Sequence, residues 1–255
     1  MIENKLRSVL DGLLFPPKCC ACGTFLREHI LDTEPRALCE SCRRMWEYAK
    51  LSACQRCGEE LSKCRCMPPV LRRAGVAVAL KMVSYSKERN TTAKRCIVYM
   101  KRKNTRAVFD FFSGQMAELL CVYLNETYTS PKDVLITYLP RGHKNAVKSG
   151  VDQSELLAKG IGRALGCDVQ ELLIRTKRRE KEQKHLSKKE RLENMKGAFT
   201  LKQTDLSKIN KTYRCIAVVD DVMTTGASLA SCSAELKKGF GGRIICVCLA
   251  ESEKN

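Results

Sequence analysis

Two patterns of side chains in this sequence could do chemistry. The first is the stretch Ile216 to Ser228, "IAVVDDVMTTGAS", in which four apolar residues lead into Asp220 and Asp221 and then into a loop of small hydroxyl residues around Gly226. Two adjacent carboxylates at the end of an apolar run are costly to bury without a partner. At the carboxyl end of a parallel strand they would project into the crevice where open α/β sheets bind ligands. Thr224, Thr225, Gly226, Ala227 and Ser228 can turn backbone N–H groups and hydroxyls inward, and the helix expected from Ser228 offers an N-terminus that favours an anion. Carboxylates would repel the phosphate in such a cradle, so they must have another task. They can accept hydrogen bonds from vicinal sugar hydroxyls, with a divalent cation nearby to offset charge. The ligand implied is a sugar phosphate with a free diol.

The second pattern is made of thiols. The chain has 16 cysteines. Those from Cys19 to Cys66 fall mostly in tight pairs, and the rest are scattered singly through apolar segments. Cys19-x-x-Cys22 and Cys39-x-x-Cys42 offer four thiolates to one tetrahedral ion, the closed pattern of a structural zinc site. Cys54-x-x-Cys57 followed by Cys64-x-Cys66 offers a second set, whose last pair is one residue short of an ordinary knuckle. The spacing leaves open whether one ion is bound or two. Cys20, inside the first knuckle, reads as a spectator. No thioredoxin-like strand and helix flank these pairs, which disfavours redox exchange. No His, Asp or Glu replaces a cysteine, which disfavours a catalytic zinc.

The elements that must position these groups divide the chain in two. Residues 1–67 form a cysteine-rich head with too few large apolar residues to fold on burial alone, so metal binding would supply much of its folding free energy. Met67-Pro68-Pro69 reads as a hinge, because prolines disfavour both helix and central strand. Residues 70–255 alternate between strands and helices. Strands are expected at Ala74 to Ser86, Asp133 to Pro140, Cys215 to Val222 and Gly242 to Ser252. Helices are expected at Val108 to Leu124, Ser154 to Gly166 and Ser228 to Phe240. Continuous apolar strands in strand–helix–strand order predict an α/β fold, an open and mainly parallel sheet with helices on both faces. Arg175 to Lys196 breaks the pattern: it is strongly basic, with few apolar residues, and reads as a solvated helix or loop.

The chain has 255 residues, 44% of them hydrophobic, enough for a real core, and a formal net charge of +18. That charge favours an anionic partner: nucleic acid, a phosphorylated metabolite or an acidic membrane surface. Aromatic content is 6%, with no aromatic-basic cluster, so contacts to nucleic acid would be phosphate contacts rather than base readout. Met1 to Leu14 has mixed charge and lacks the apolar core and cleavage site of a signal peptide. No apolar run approaches the roughly 18 residues of a membrane span. These features, with metal-bound cysteines, predict a reducing cytoplasm and no transmembrane segment.

Ile216 to Ser228 resembles, position by position, the motif that binds 5-phosphoribosyl 1-pyrophosphate (PRPP) in type I phosphoribosyltransferases. The rest of the chain resembles the ComF family, competence-associated proteins that join a cysteine-rich zinc head to a phosphoribosyltransferase-like domain. The family's elements stand here in order as "YLPRGHK" (Tyr138 to Lys144), "GVDQSELLAK" (Gly150 to Lys159) and "EQKHLSKKERLENMKGAF" (Glu182 to Phe199). Val151, where the family prefers an aromatic, and the Cys-x-Cys end of the head depart from its pattern.

The resemblance implies a type I phosphoribosyltransferase-like sheet and a zinc-ribbon-like head. It also implies PRPP binding with Mg²⁺ by Asp220, Asp221, Val222, Met223, Thr224, Thr225, Gly226, Ala227 and Ser228, the two aspartates being the residues that would serve catalysis. Arg141, in Pro140-Arg141-Gly142, would pair with pyrophosphate, or else merely form a turn. Lys101 matches a family lysine and could serve phosphate or surface charge. Gln183, Leu186, Arg191 and Asn194 match the family's hood over the site. The function implied is DNA uptake, with single-stranded DNA, a competence helicase or other uptake proteins as partners at the inner face of the membrane. An active transferase with an unidentified acceptor is the alternative. An adaptor that keeps the fold as a relic fits poorly with an intact "DDVMTTGAS".

Overall fold

The computed structural model describes residues 17–26, 36–86, 91–103, 105–141, 152–176, 197–204 and 206–253. Its apolar runs become the strands β1 (Val76–Tyr85), β2 (Val134–Tyr138), β6 (Cys215–Met223) and β7 (Arg243–Ser252). With the short β3 (Asp168–Val169) they form one sheet in the order β1-β7-β6-β2-β3, every neighbouring pair parallel. Every residue of β2 and β6 is buried, as expected of strands covered on both faces. On one face lie α3 (Thr92–Arg102), α4 (Arg106–Glu126) and α5 (Gln153–Leu165). On the other lie α2 (Pro69–Arg73), α6 (Leu206–Thr212) and α7 (Ala227–Lys237). The α/β sheet with helices on both faces is the architecture read from the sequence.

Three local features differ from expectation. Met67 to Pro69 is not a bare hinge: Pro69 opens α2 at the first helical position, where its missing N–H costs nothing, and Leu71 is fully buried. A small antiparallel pair, β4 (Leu173–Arg175) with β5 (Phe199–Leu201), brackets the basic segment. By length and composition α4 would pass for a membrane span, contrary to the sequence reading. Its polar residues are spread along the helix, so no single apolar run reveals it. Its Val108, Phe112, Met116, Leu120 and Leu124 are buried in the core, which makes it a core helix. Among the described residues no other helix is long and apolar enough to cross a membrane.

The head carries α1 (Glu40–Lys50), whose Cys42 and Trp46 are buried. The Trp46 ring packs on Phe112 of α4 with centroids 4.9 Å apart. Cys19, Cys20, Leu26 and Leu38 join the same apolar cluster as the sheet face beneath α3, α4 and α5.

Candidate functional site

The strand order decides where a ligand can bind. The connection β2–α5–β3 runs toward one edge of the sheet, while β6–α7–β7 runs toward the other. Right-handed crossovers in opposite directions place α5 and α7 on opposite faces. Between β2 and β6 the loops therefore part, leaving a crevice at the strands' carboxyl ends. Asp220 and Asp221 lie near the carboxyl end of β6, which runs on to Met223 at this crevice, and Arg141 follows β2 into it.

Both carboxylates are nearly enclosed, at 9% and 6% exposure. The Ser154 hydroxyl, on the first turn of α5, donates to Asp220 Oδ1 at 3.0 Å, and the Asp221 N–H donates to the same oxygen at 2.9 Å. Asp221 Oδ1 accepts from the Val222 N–H at 2.7 Å. Asp221 Oδ2 takes two cations, Arg141 Nη2 at 3.0 Å and Lys101 Nζ at 3.4 Å. Arg141 is itself steadied by its N–H to Asp152 Oδ2 at 3.0 Å. Asp152 Oδ1 meanwhile caps α5 by accepting from the Ser154 N–H at 3.0 Å. Burial pushes Asp220 up to about 8, with the charge of Asp221 adding to the effect. Asp220 is thereby inclined to keep its proton at neutral pH, while Asp221 Oδ2 faces the two cations.

The loop after β6 has the shape of a cradle. Gly226 lies at φ +76° and caps α7, a backbone state that side chains disfavour. The Ala227 N–H donates to Thr225 Oγ1 at 3.3 Å, Thr224 is exposed, and Thr225 and Ser228 are half-buried. The arrangement can hold an anion at the helix start and polyol hydroxyls at the carboxylates, with cationic side chains between.

The two cysteine sets are each brought together. The Sγ atoms of Cys19, Cys22, Cys39 and Cys42 lie within 4.8 Å of one another, as do those of Cys54, Cys57, Cys64 and Cys66. Cys22 and Cys39 stand 3.6 Å apart, and Cys57 and Cys64 3.5 Å. Four thiolates around zinc at about 2.3 Å would have edges of about 3.8 Å, so both sets fit such an ion. The shortened Cys64-x-Cys66 pair therefore does not exclude a second site. Each set also has one thiol inclined to ionise. The Thr24 hydroxyl and N–H lower Cys22 to about 6. For Cys54, burial raises the pKa, but the Arg56 N–H and neighbouring thiols more than reverse this, to about 7.

No family model matches the chain. It is similar to Competence protein F of Haemophilus influenzae (strain ATCC 51907 / DSM 11121 / KW20 / Rd), at 34% identity over 100 residues. That similarity bears out the ComF resemblance. The matched stretch covers 39% of this chain and 42% of that protein, less than half of either.

Within this ComF-like frame, Asp220, Asp221 and Arg141 come together, and the loop 224–228 follows directly. Lys101, left undecided between phosphate and surface charge, points at Asp221. Ser154 and Asp152 were missed as site residues. The helix expected from Ser154 begins at Gln153 and is capped by Asp152, which leaves the Ser154 hydroxyl for Asp220. An Asx residue two positions before a serine was the signal. Gly142, Val151, Gln183, Leu186, Arg191 and Asn194 lie outside the described residues, so the hood and the far side of the Arg141 turn are not described.

Proposed function

We propose that this chain is a ComF-type competence protein that binds PRPP in the crevice between β2 and β6 and acts on single-stranded DNA during uptake. One observation carries the reading: two buried carboxylates at a topological switch point, followed by a glycine-turned loop and faced by Arg141 and Lys101. Asp220 and Asp221 would accept the ribose diol, and Thr224 to Ser228 would hold the 5-phosphate. Arg141 and Lys101 would exchange Asp221 for pyrophosphate oxygens, with Mg²⁺ supplying further positive charge there. Each cysteine set would hold a structural zinc ion. The charge of +18 supports binding of a nucleic acid backbone. Competence-helicase and other uptake partners at the inner face of the membrane belong to the same reading.

Calorimetry with Mg²⁺ and PRPP tests the site. Asp220→Ala with Asp221→Ala should abolish binding while the fold is retained, and unchanged affinity would remove PRPP from the reading. Filter binding of a single-stranded oligonucleotide should weaken steeply between low and moderate salt. Insensitivity to salt would count against backbone recognition. The Arg141–Asp221 pair favours a second reading, a transferase in which Arg141 stabilises departing pyrophosphate. Hydrolysis of PRPP to ribose 5-phosphate and pyrophosphate by wild-type protein, with water attacking the anomeric carbon in place of the acceptor, lost in Arg141→Met, would support it.

A further inference from the structure

Lys81 lies within β1 with no exposed surface. A buried cation needs partners that compensate its lost hydration. Here Nζ donates to the Cys66 carbonyl at 2.6 Å and lies 4.0 Å from Glu251. Glu251 in turn accepts from Arg56, inside the second knuckle, at 2.7 and 2.8 Å. It is also the register partner of Met223, the last residue of β6. The second cysteine cluster is thus clamped to the strand ends beside the candidate site.

From Cys66 the chain passes through Pro68 into α2, and the Leu71 N–H bonds the Pro68 carbonyl at 3.0 Å. A Cβ on Gly226 would stand 3.3 Å from Leu71 Cγ and 3.4 Å from Pro68 Cγ. Leu71 is fully buried in one apolar cluster with Met223, Ala227 and Leu229. The loop that follows the aspartate pair therefore rests on the segment that leaves the cluster.

We propose that Leu71 is a positioning residue for the loop 224–228, and that the second cysteine cluster fixes the place of that loop through Lys81 and the Cys66–Leu71 segment. The inference deepens the reading of this loop as the cradle of the 5-phosphate and rests on it for the identity of the ligand. A cradle made of N–H groups and hydroxyls works only when held to about 0.5 Å by the residues behind it. Removing the Leu71 side chain opens a gap into which the loop can sink.

Amide hydrogen exchange across Thr224 to Ser228 in metal-loaded protein, without ligand, reads the loop directly. Leu71→Ala should speed exchange there at least tenfold, while the volume-conserving Leu71→Met restores most of the protection. Lys81→Met should speed the same amides, with the amides of α4 unchanged. In calorimetry Leu71→Ala should weaken PRPP about tenfold with zinc content per chain unaltered. Unchanged loop exchange in Leu71→Ala, or equal acceleration throughout the sheet, overturns the proposal. Faster loop exchange in a protein whose wild type shows no PRPP binding upholds the positioning role and rejects the ligand.

Discussion

The two cysteine clusters are locally alike and attached to the protein by different forces. Each begins with Cys-x-x-Cys-Gly, with the glycine at φ +79° or +77° and its N–H bonded to the carbonyl of the first cysteine at 2.8 Å. Beyond the knuckle they diverge. The first cluster is welded to the core by apolar contacts: Cys20 lies 3.7 Å from Cys96 of α3, and Trp46 lies on Phe112. The second has a small apolar nucleus of its own, Cys54, Leu61 and Cys64. It is held by charges: Lys81, and Arg56 with Glu251, tie it to the sheet, and Arg65 with Glu126 ties it to the end of α4. Apolar attachment is non-directional and insensitive to salt. Attachment by charges fixes direction, and it places the second cluster beside the strand ends where the ligand crevice opens.

The largest expected effect tests the first attachment. Trp46→Ala removes a fully buried ring at the join and should cost about 3–5 kcal/mol in denaturant unfolding. Zinc content at the second cluster should not change. Loss of metal from both clusters in this variant would show that the head unfolds as one unit and would break the contrast between them.

What the sequence revealed and what it hid follow the same division. Continuous apolar runs announced β2, β6 and β7, and the aspartate pair marked the end of β6, because burial on both faces leaves a pattern in neighbouring residues. The thiol pairs were equally local. The attachments were not. Lys81 sits in a run of small and β-branched residues, and nothing near it indicates that its partners are Cys66 and Glu251. Likewise Ser154 meets Asp220 only because the crossover of α5 brings the helix start over β6. Long-range polar pairing leaves no periodicity to read. The prolines misled for a related reason: Pro69 forbids a helix interior but suits a helix start, and only the burial of Leu71 decides between them.

A second test separates the crevice from both attachments. Burial holds Asp220 at about 8 in the folded protein, against an ordinary carboxylate value near 4 when unfolded. Between those values the folded state keeps a proton that the unfolded state has lost, so this group makes stability fall as pH rises from about 4 to about 8. The loss should be on the order of a few kcal/mol, and Asp220→Asn should flatten it. Trp46→Ala should lower the whole stability curve without changing this slope. A slope that persists in Asp220→Asn would assign it to other groups, with Asp152, also raised by burial, the first to examine.

The smallest effect bears most directly on the contrast between the clusters. Arg56 and Glu251 are partly exposed, with side chains at 28% and 12%, so their ion pair contributes only about 0.5–1 kcal/mol despite its short contacts. Arg56→Gln should cost about that much at low salt. The deficit should shrink toward zero near 1 M salt, where the Debye length falls to about 3 Å and wild type loses the same attraction. The Trp46→Ala deficit should persist at that salt concentration, because no charge is involved. Since Glu251 neighbours Met223, Arg56→Gln should also loosen the amides of the loop 224–228, whereas charge-preserving Arg56→Lys should loosen them less. If the Arg56→Gln deficit is the same at both salt concentrations, the second cluster is held by packing as the first is, and the distinction between the two attachments fails.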